Sequence, residues 1–172
     1  YLRYSAAHST IIVSNTNISE LVEKKSYKRI PEIIMFKSQE DTKKITWSGS
    51  HDGYRSNFNR IVKRKITILK STNKIFGEDS VIATKKDNRK ISYNIRFHLT
   101  PGCSCLLTNN YRTVLIKTKK NQSWIFESNS AVNIEDSICI NDGKKIEKTK
   151  QLVISNYSDT TKKSNSWTLT KT

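Results

Sequence analysis

From Ile91 to Leu99 the chain alternates apolar and polar residues without a break, and Pro101 then ends the run. A period of two puts Ile91, Tyr93, Ile95, Phe97 and Leu99 on one face of a strand, and Ser92, Asn94, Arg96 and His98 on the other. That is the pattern of a sheet with one buried and one wet side. Versions of it return over Arg60–Leu69, Thr113–Ile116, Ser123–Phe126, Ala131–Ile140, Lys150–Asn156 and Ser166–Leu169, and around Ile45 and Trp47. The basic residues of Arg60–Leu69 are assigned to its wet face. Lys74–Ile82 is a further strand, and Gly77 within it marks an expected bulge. Pro31 divides Glu20–Phe36 into two short strands.

Between these runs stand turn signals: Asn15-Thr16-Asn17, Pro101-Gly102, and Asn141-Asp142-Gly143, where Asp-Gly reads as a hairpin. Asp159–Asn165 reads as a loop. About a dozen short strands with no sustained helical period specify an all-β fold, an antiparallel multi-strand β-sandwich of the supersandwich type.

The 172 residues suffice for one such domain, spanning 1–172, and are too few for two of ordinary size. No run approaches the roughly 18 to 20 apolar residues of a membrane-spanning helix, so no transmembrane segment is expected. The sequence opens at Tyr1, and its one methionine is Met35. We therefore expect a fragment of a longer chain.

The net charge of +16 invites a polyanion as partner. Its make-up, 23 Lys against 8 Arg in a chain rich in Ile and Asn, fits a drift toward A/T-rich codons equally well. Specific phosphate or base recognition would favour Arg. The basic residues are also spread over many strands, not clustered with aromatics as single-strand binders require, so no nucleic acid is expected. Cys103, Cys105 and Cys139 are an odd number without a zinc-like CxxC pair and read as ordinary small side chains.

Chemistry-bearing motifs are few: there is no Gly-rich phosphate loop, HExxH helix, EF-hand loop or GxSxG elbow. His51-Asp52-Gly53-Tyr54 gathers the residue types of proton transfer, although Asp-Gly is also turn chemistry. His98 has a structural use in pairing across its sheet. Trp47, Trp124 and Trp167 occur singly on β runs, where core packing is their usual role. Glu78-Asp79 and Glu135-Asp136 are adjacent in sequence, so on strands each pair points to opposite faces and cannot act as a couple. His8 stands among small neighbours in Ala6-Ala7-His8-Ser9-Thr10, with room for an ion or ligand, but one histidine is not a zinc site.

Together, Arg3 with Ala6–Val13, His51–Tyr54, Arg60–Leu69, Gly77–Asp79, Phe97–Pro101, Trp124–Phe126 and Glu135–Ser137 form an ordered set over nearly the whole chain. The set resembles the C-terminal β-sandwich region of the heparinase II/III-like polysaccharide lyases. The resemblance implies a larger parent enzyme, a carbon–oxygen lyase with an N-terminal helical toroid, exported to the periplasm or cell envelope. It would cleave acidic polysaccharide by β-elimination.

The family's catalytic asparagine, tyrosine and histidine have no counterpart here, so no catalytic residue is assigned and the segment alone is expected to be inactive. The histidine of the Ala-His-Asn/Ser-Thr segment resembles a ligand of the family's structural zinc. His8 occupies that position, with Ser9 where Asn is often found, and zinc is the implied metal. The competing reading is a non-catalytic basic β-sandwich that binds anionic glycan.

Overall fold

The computed structural model describes residues 2–22, 26–141, 145–159 and 162–172. After a single 3-10 turn at Ser5–Ala7 come β1 (Ile11–Val13), β2 (Glu20–Val22), β3 (Ser26–Arg29), β4 (Ile33–Glu40) and β5 (Lys44–His51). A one-turn helix, α1 (Arg55–Phe58), leads into β6 (Arg60–Leu69), β7 (Lys74–Ala83) and β8 (Ile91–His98). The rest is β9 (Ser104–Leu107), β10 (Thr113–Lys117), β11 (Ser123–Ser128), β12 (Asn133–Asn141), β13 (Lys145–Ser158) and β14 (Lys163–Lys171).

Every strand pairing among the described residues is antiparallel. Four strands, in the order β1-β8-β13-β12, form a small sheet, and eight, β4-β5-β6-β7-β14-β11-β10-β9, form a large one. The all-β sandwich expected from the alternation is therefore present, and β8 holds the centre of the small sheet between β1 and β13. Its alternation is obeyed: Tyr93 and Ile95 are buried against the large sheet, while Ser92 faces out.

One core cluster draws on both sheets, with Val13, Tyr93, Ile95, Leu152 and Ile154 from the small one and Val62, Val81, Val114, Phe126 and Trp167 from the large one. Burying apolar surface at about 25 cal/mol per Å² is what holds the layers together. Phe97, Phe126 and Trp167 meet at its centre with ring centroids 4.9 to 6.1 Å apart.

Four expectations need correction. First, Gly77 is not a bulge, since β7 pairs with β6 and β14 without a register shift. The glycine is there because Trp167, directly across, lies on it: a Cβ at 77 would be 2.0 Å from the indole. Second, the basic residues of β6 do not all face water. Arg60 and Arg64 alternate with Val62 and Ile66 on the inner side, leaving Lys63 and Lys65 outside.

Arg60 is fully buried because its guanidinium finds five acceptors: Ser158 Oγ and the carbonyls of Phe58, Asn59, Arg89 and Asp159, at 2.9 to 3.3 Å. Arg64 grips both oxygens of buried Asp79, which also accepts the Trp167 Nε1–H at 2.9 Å. Third, residues 163–165 belong to β14 and not to a loop. Fourth, Trp47 is not buried in the core; it is 37% exposed, against 7% for Trp167. The Asp142-Gly143 turn lies outside the described residues.

Candidate functional site

The His51–Tyr54 segment closes β5 and is built as a cap. His51 Nδ1 accepts the Gly53 N–H at 3.1 Å, so the neutral ring carries its proton on Nε2. Asp52 Oδ1 accepts the Glu32 N–H at 2.8 Å. Tyr54 is wholly buried and donates its hydroxyl to the Ile11 carbonyl at 3.1 Å, tying the large sheet to β1. A side chain at Gly53 would collide with Ile18 and His51. Burial pushes the His51 pKa down against the pull of Asp52, and burial pushes the Tyr54 phenol far up. Tyr54 is enclosed and His51 is half-buried with Nδ1 engaged by the turn, which is the geometry of a structural cap.

His8 follows the 3-10 turn and is exposed, with Nε2 2.7 Å from the Leu2 carbonyl. His98, on the outer face of β8, is close enough to feel its charge. Nε2 of His98 meets the Ala6 carbonyl at 3.1 Å, which requires a proton there, and Nδ1 accepts from Ser137 Oγ at 2.8 Å. Burial is the main cause of its lowered pKa, with Arg96 and His8 adding to it and the Ala6 carbonyl opposing.

The pairing across the sheet expected of His98 is therefore present, through Ser137. Among the described residues no three of His, Cys, Asp and Glu converge as a metal site. The residues present do not by themselves fit a zinc ion, which needs about three protein ligands.

The acidic pairs split as expected: Asp79 is buried between the sheets, whereas Glu78 faces out and binds Lys162 Nζ at 2.9 Å. Glu135 pairs with Arg96 at 3.1 Å and Asp136 with Lys150 at 2.7 Å. The three cysteines are free thiols.

Of the concavities among the described residues, two lie over the middle strands of the large sheet. The first is an open, mostly apolar groove of about 490 Å³ between the sheets, where the inner face of the large sheet runs past the small one; Trp47, Ile66, Ile68, Ile75, Trp124 and Leu169 line it. The second is a trough of about 520 Å³ on the outer face of the large sheet. Two neighbouring rungs of outward side chains make its floor: Lys65–Glu78–Ser166, and Thr67–Phe76–Thr168–Glu127. Asn129 closes one end through reciprocal bonds with the Ser166 backbone.

The sequence could not single out this trough. Its residues come from four strands, and only the strand order β6-β7-β14-β11 puts Lys65 beside Glu78 and Phe76 beside Thr168.

Fold and site together define a supersandwich-type β module with no metal cluster or open acid–base pair among the described residues. The chain belongs to the heparinase II/III-like C-terminal family, whose model matches residues 1–168. No curated protein matches it. Among solved structures it is similar to heparan sulfate lyase HepC from Pedobacter heparinus, with a TM-score of 0.77 and 12% identity over 98% of this chain and 24% of that one. The heparinase III BT4657 gene product gives 0.75 and 14% over 99% of this chain and 24% of that one. A putative aldose 1-epimerase from Escherichia coli K12 gives 0.51 and 8% over 99% of this chain and 80% of that one. The chain thus spans about a quarter of the length of the two lyase chains.

Proposed function

We propose that this chain is the C-terminal β-sandwich of a longer polysaccharide lyase that cleaves uronate-containing polysaccharide by β-elimination. The observation that carries the reading is the family match over residues 1–168 on a sandwich that superimposes on lyase chains about four times as long. In the reaction, neutralising the uronate carboxylate acidifies the C5 proton, a base removes it, and an acid protonates the departing oxygen. Those groups are assigned to the rest of the parent, including an N-terminal helical domain.

The module supplies a wall for the sugar chain and is inactive alone. The apolar groove at Trp47 supports this, because an uncovered inner face suits a module that packs against further polypeptide. Export to the periplasm or envelope, where such polymers are met, belongs to the same reading. So does zinc, with His8 as one ligand and the others outside this chain.

The full-length parent, incubated with uronate polysaccharides, should raise the absorbance of the unsaturated product, and the 172-residue module should not. A parent that yields product from no such polymer overturns the reading. Metal analysis of the parent should find zinc that is lost in His8→Ala; equal content in both would remove His8 from the site.

The charge of +16 favours a second reading, a non-catalytic binder of anionic glycan. It requires glycan binding that weakens steeply with salt while no product forms.

A further inference from the structure

The outer trough has the composition of a recognition surface for an acidic sugar chain. Lys65 is exposed at one end of its floor, and no ion pair holds it among the described residues. Glu78, its neighbour on the rung, is already neutralised: Lys162 Nζ and the hydroxyls of Ser80 and Ser164 surround one carboxylate oxygen at 2.9 to 3.3 Å. These bonds, that of Lys162 first, hold the Glu78 pKa down. The lysine is therefore left for an external anion.

Glu127 stands at the far end of the second rung, where among the described residues its one side-chain hydrogen bond is a long one, 3.4 Å, from Thr168 Oγ1. It can accept hydroxyl protons. Between the two lie the hydroxyls of Thr67, Thr168 and Ser166 and the half-exposed ring of Phe76, with Lys74 Nζ 5.1 Å from its centroid. The floor crosses four strands, three steps of about 4.8 Å, which gives room for a short oligosaccharide.

Charge spacing decides the class of ligand. A nucleic acid brings a phosphate at every residue and would meet the Glu127 carboxylate. A polymer with a uronate at every second sugar leaves a residue of hydroxyls and apolar ring face between its charges, matching a lysine, a carboxylate and an aromatic ring set apart on one floor.

We propose that this trough binds a segment of acidic glycan, with Lys65 on the sugar's anionic group, Glu127 accepting from ring hydroxyls, and Phe76 against a ring face. The proposal rests on the lyase reading for its substrate class and adds the place where the polymer is held.

The test is titration calorimetry of the full-length protein with three short oligosaccharides: one uronate-containing, one sulfated and neutral in its carboxyls, one uncharged. Lys65→Glu should weaken the acidic ligands about tenfold, the loss expected for one reversed charge at a direct contact. Lys86→Glu, the same charge change on the exposed segment after β7, should alter them less than about twofold. Phe76→Ala should weaken all three about fivefold. Whichever acidic ligand loses more in Lys65→Glu names the anionic group as carboxylate or sulfate.

Equal losses in Lys65→Glu and Lys86→Glu, with melting temperatures unchanged, would overturn the trough as the site, as would an uncharged ligand binding as tightly as the acidic ones. Lyase activity separates the two proposals. A parent that cleaves uronate polymer while its trough variants keep KM and kcat removes the trough alone. A parent that never cleaves, yet loses binding in Lys65→Glu, removes the lyase reading and keeps the trough.

Discussion

Trp167 and Trp47 sit on the same inner face of the same sheet, three strands apart in the order β5-β6-β7-β14, yet they live in different molecules. Trp167 has the small sheet above it, Gly77 beneath it, Phe97 and Phe126 around it, and Asp79 for its N–H. Trp47 has the open groove above it. The residue type is constant and the cover differs. An inner face becomes a core only where a second layer reaches it, and the three-residue β1 is where the small sheet stops.

The largest effect that would break this contrast is a pair of truncations. Trp167→Ala should cost about 3–5 kcal/mol in urea unfolding, as for a buried aromatic. Trp47→Ala should cost about 1 kcal/mol, since one side of the ring faces the open groove and is not enclosed. Equal costs would mean that the groove is closed in solution.

Next comes Gly77→Ala, which should cost about 1–3 kcal/mol by driving a methyl into the Trp167 ring. In a Trp167→Ala background most of that cost should vanish, and a double-mutant cycle reads the coupling. If the two costs add, the glycine is needed for its backbone and not for the ring.

The smallest effect is acid sensitivity at the covered side. His51 has a folded pKa below its unfolded value of about 6.5, because burial disfavours the cation. The stability it contributes is present above that unfolded value and is lost as pH falls from there through the lower folded pKa. Melting temperatures should be level from pH 8 to 7 and decline below about 6.5, by the equivalent of less than about 1 kcal/mol for this group. His51→Gln should flatten that first part of the decline; an unchanged profile would show that His98, shifted in the same direction, is responsible.

The fold was legible in the alternation because a half-buried strand must alternate; β8 does so strictly in sequence, whereas β10 and β11 carry the apolar runs Val114–Ile116 and Trp124–Phe126 and alternate only in burial. Family membership was legible too, in short ordered motifs such as Ala6–Val13 and Phe97–Pro101. What failed was the rule that charge means water. Arg60 and Arg64 point inward because acceptors from distant parts of the chain wait for them, and no local window contains Ser158 or Asp79. Gly77 was misread for a similar reason, as its partner Trp167 is ninety residues away. The trough was invisible in sequence because its floor is made by strand order, whereas His51–Tyr54, being local, was readable as a turn.

Arg60 also says something about the order in which the chain can become itself. Its acceptors at Ser158 and Asp159 lie 98 and 99 residues downstream, and those at Phe58 and Asn59 are its immediate neighbours. Nearer in sequence it has the Asp87 carboxylate at 3.5 Å and the Arg89 carbonyl at 3.1 Å, but until the end of β13 arrives two of its acceptors are missing, and a buried donor left without a partner is costly. The full set of bonds around Arg60 therefore forms only when β6 meets the end of β13. Closing so long a loop is slow, which makes the sealing of Arg60 a late step of folding.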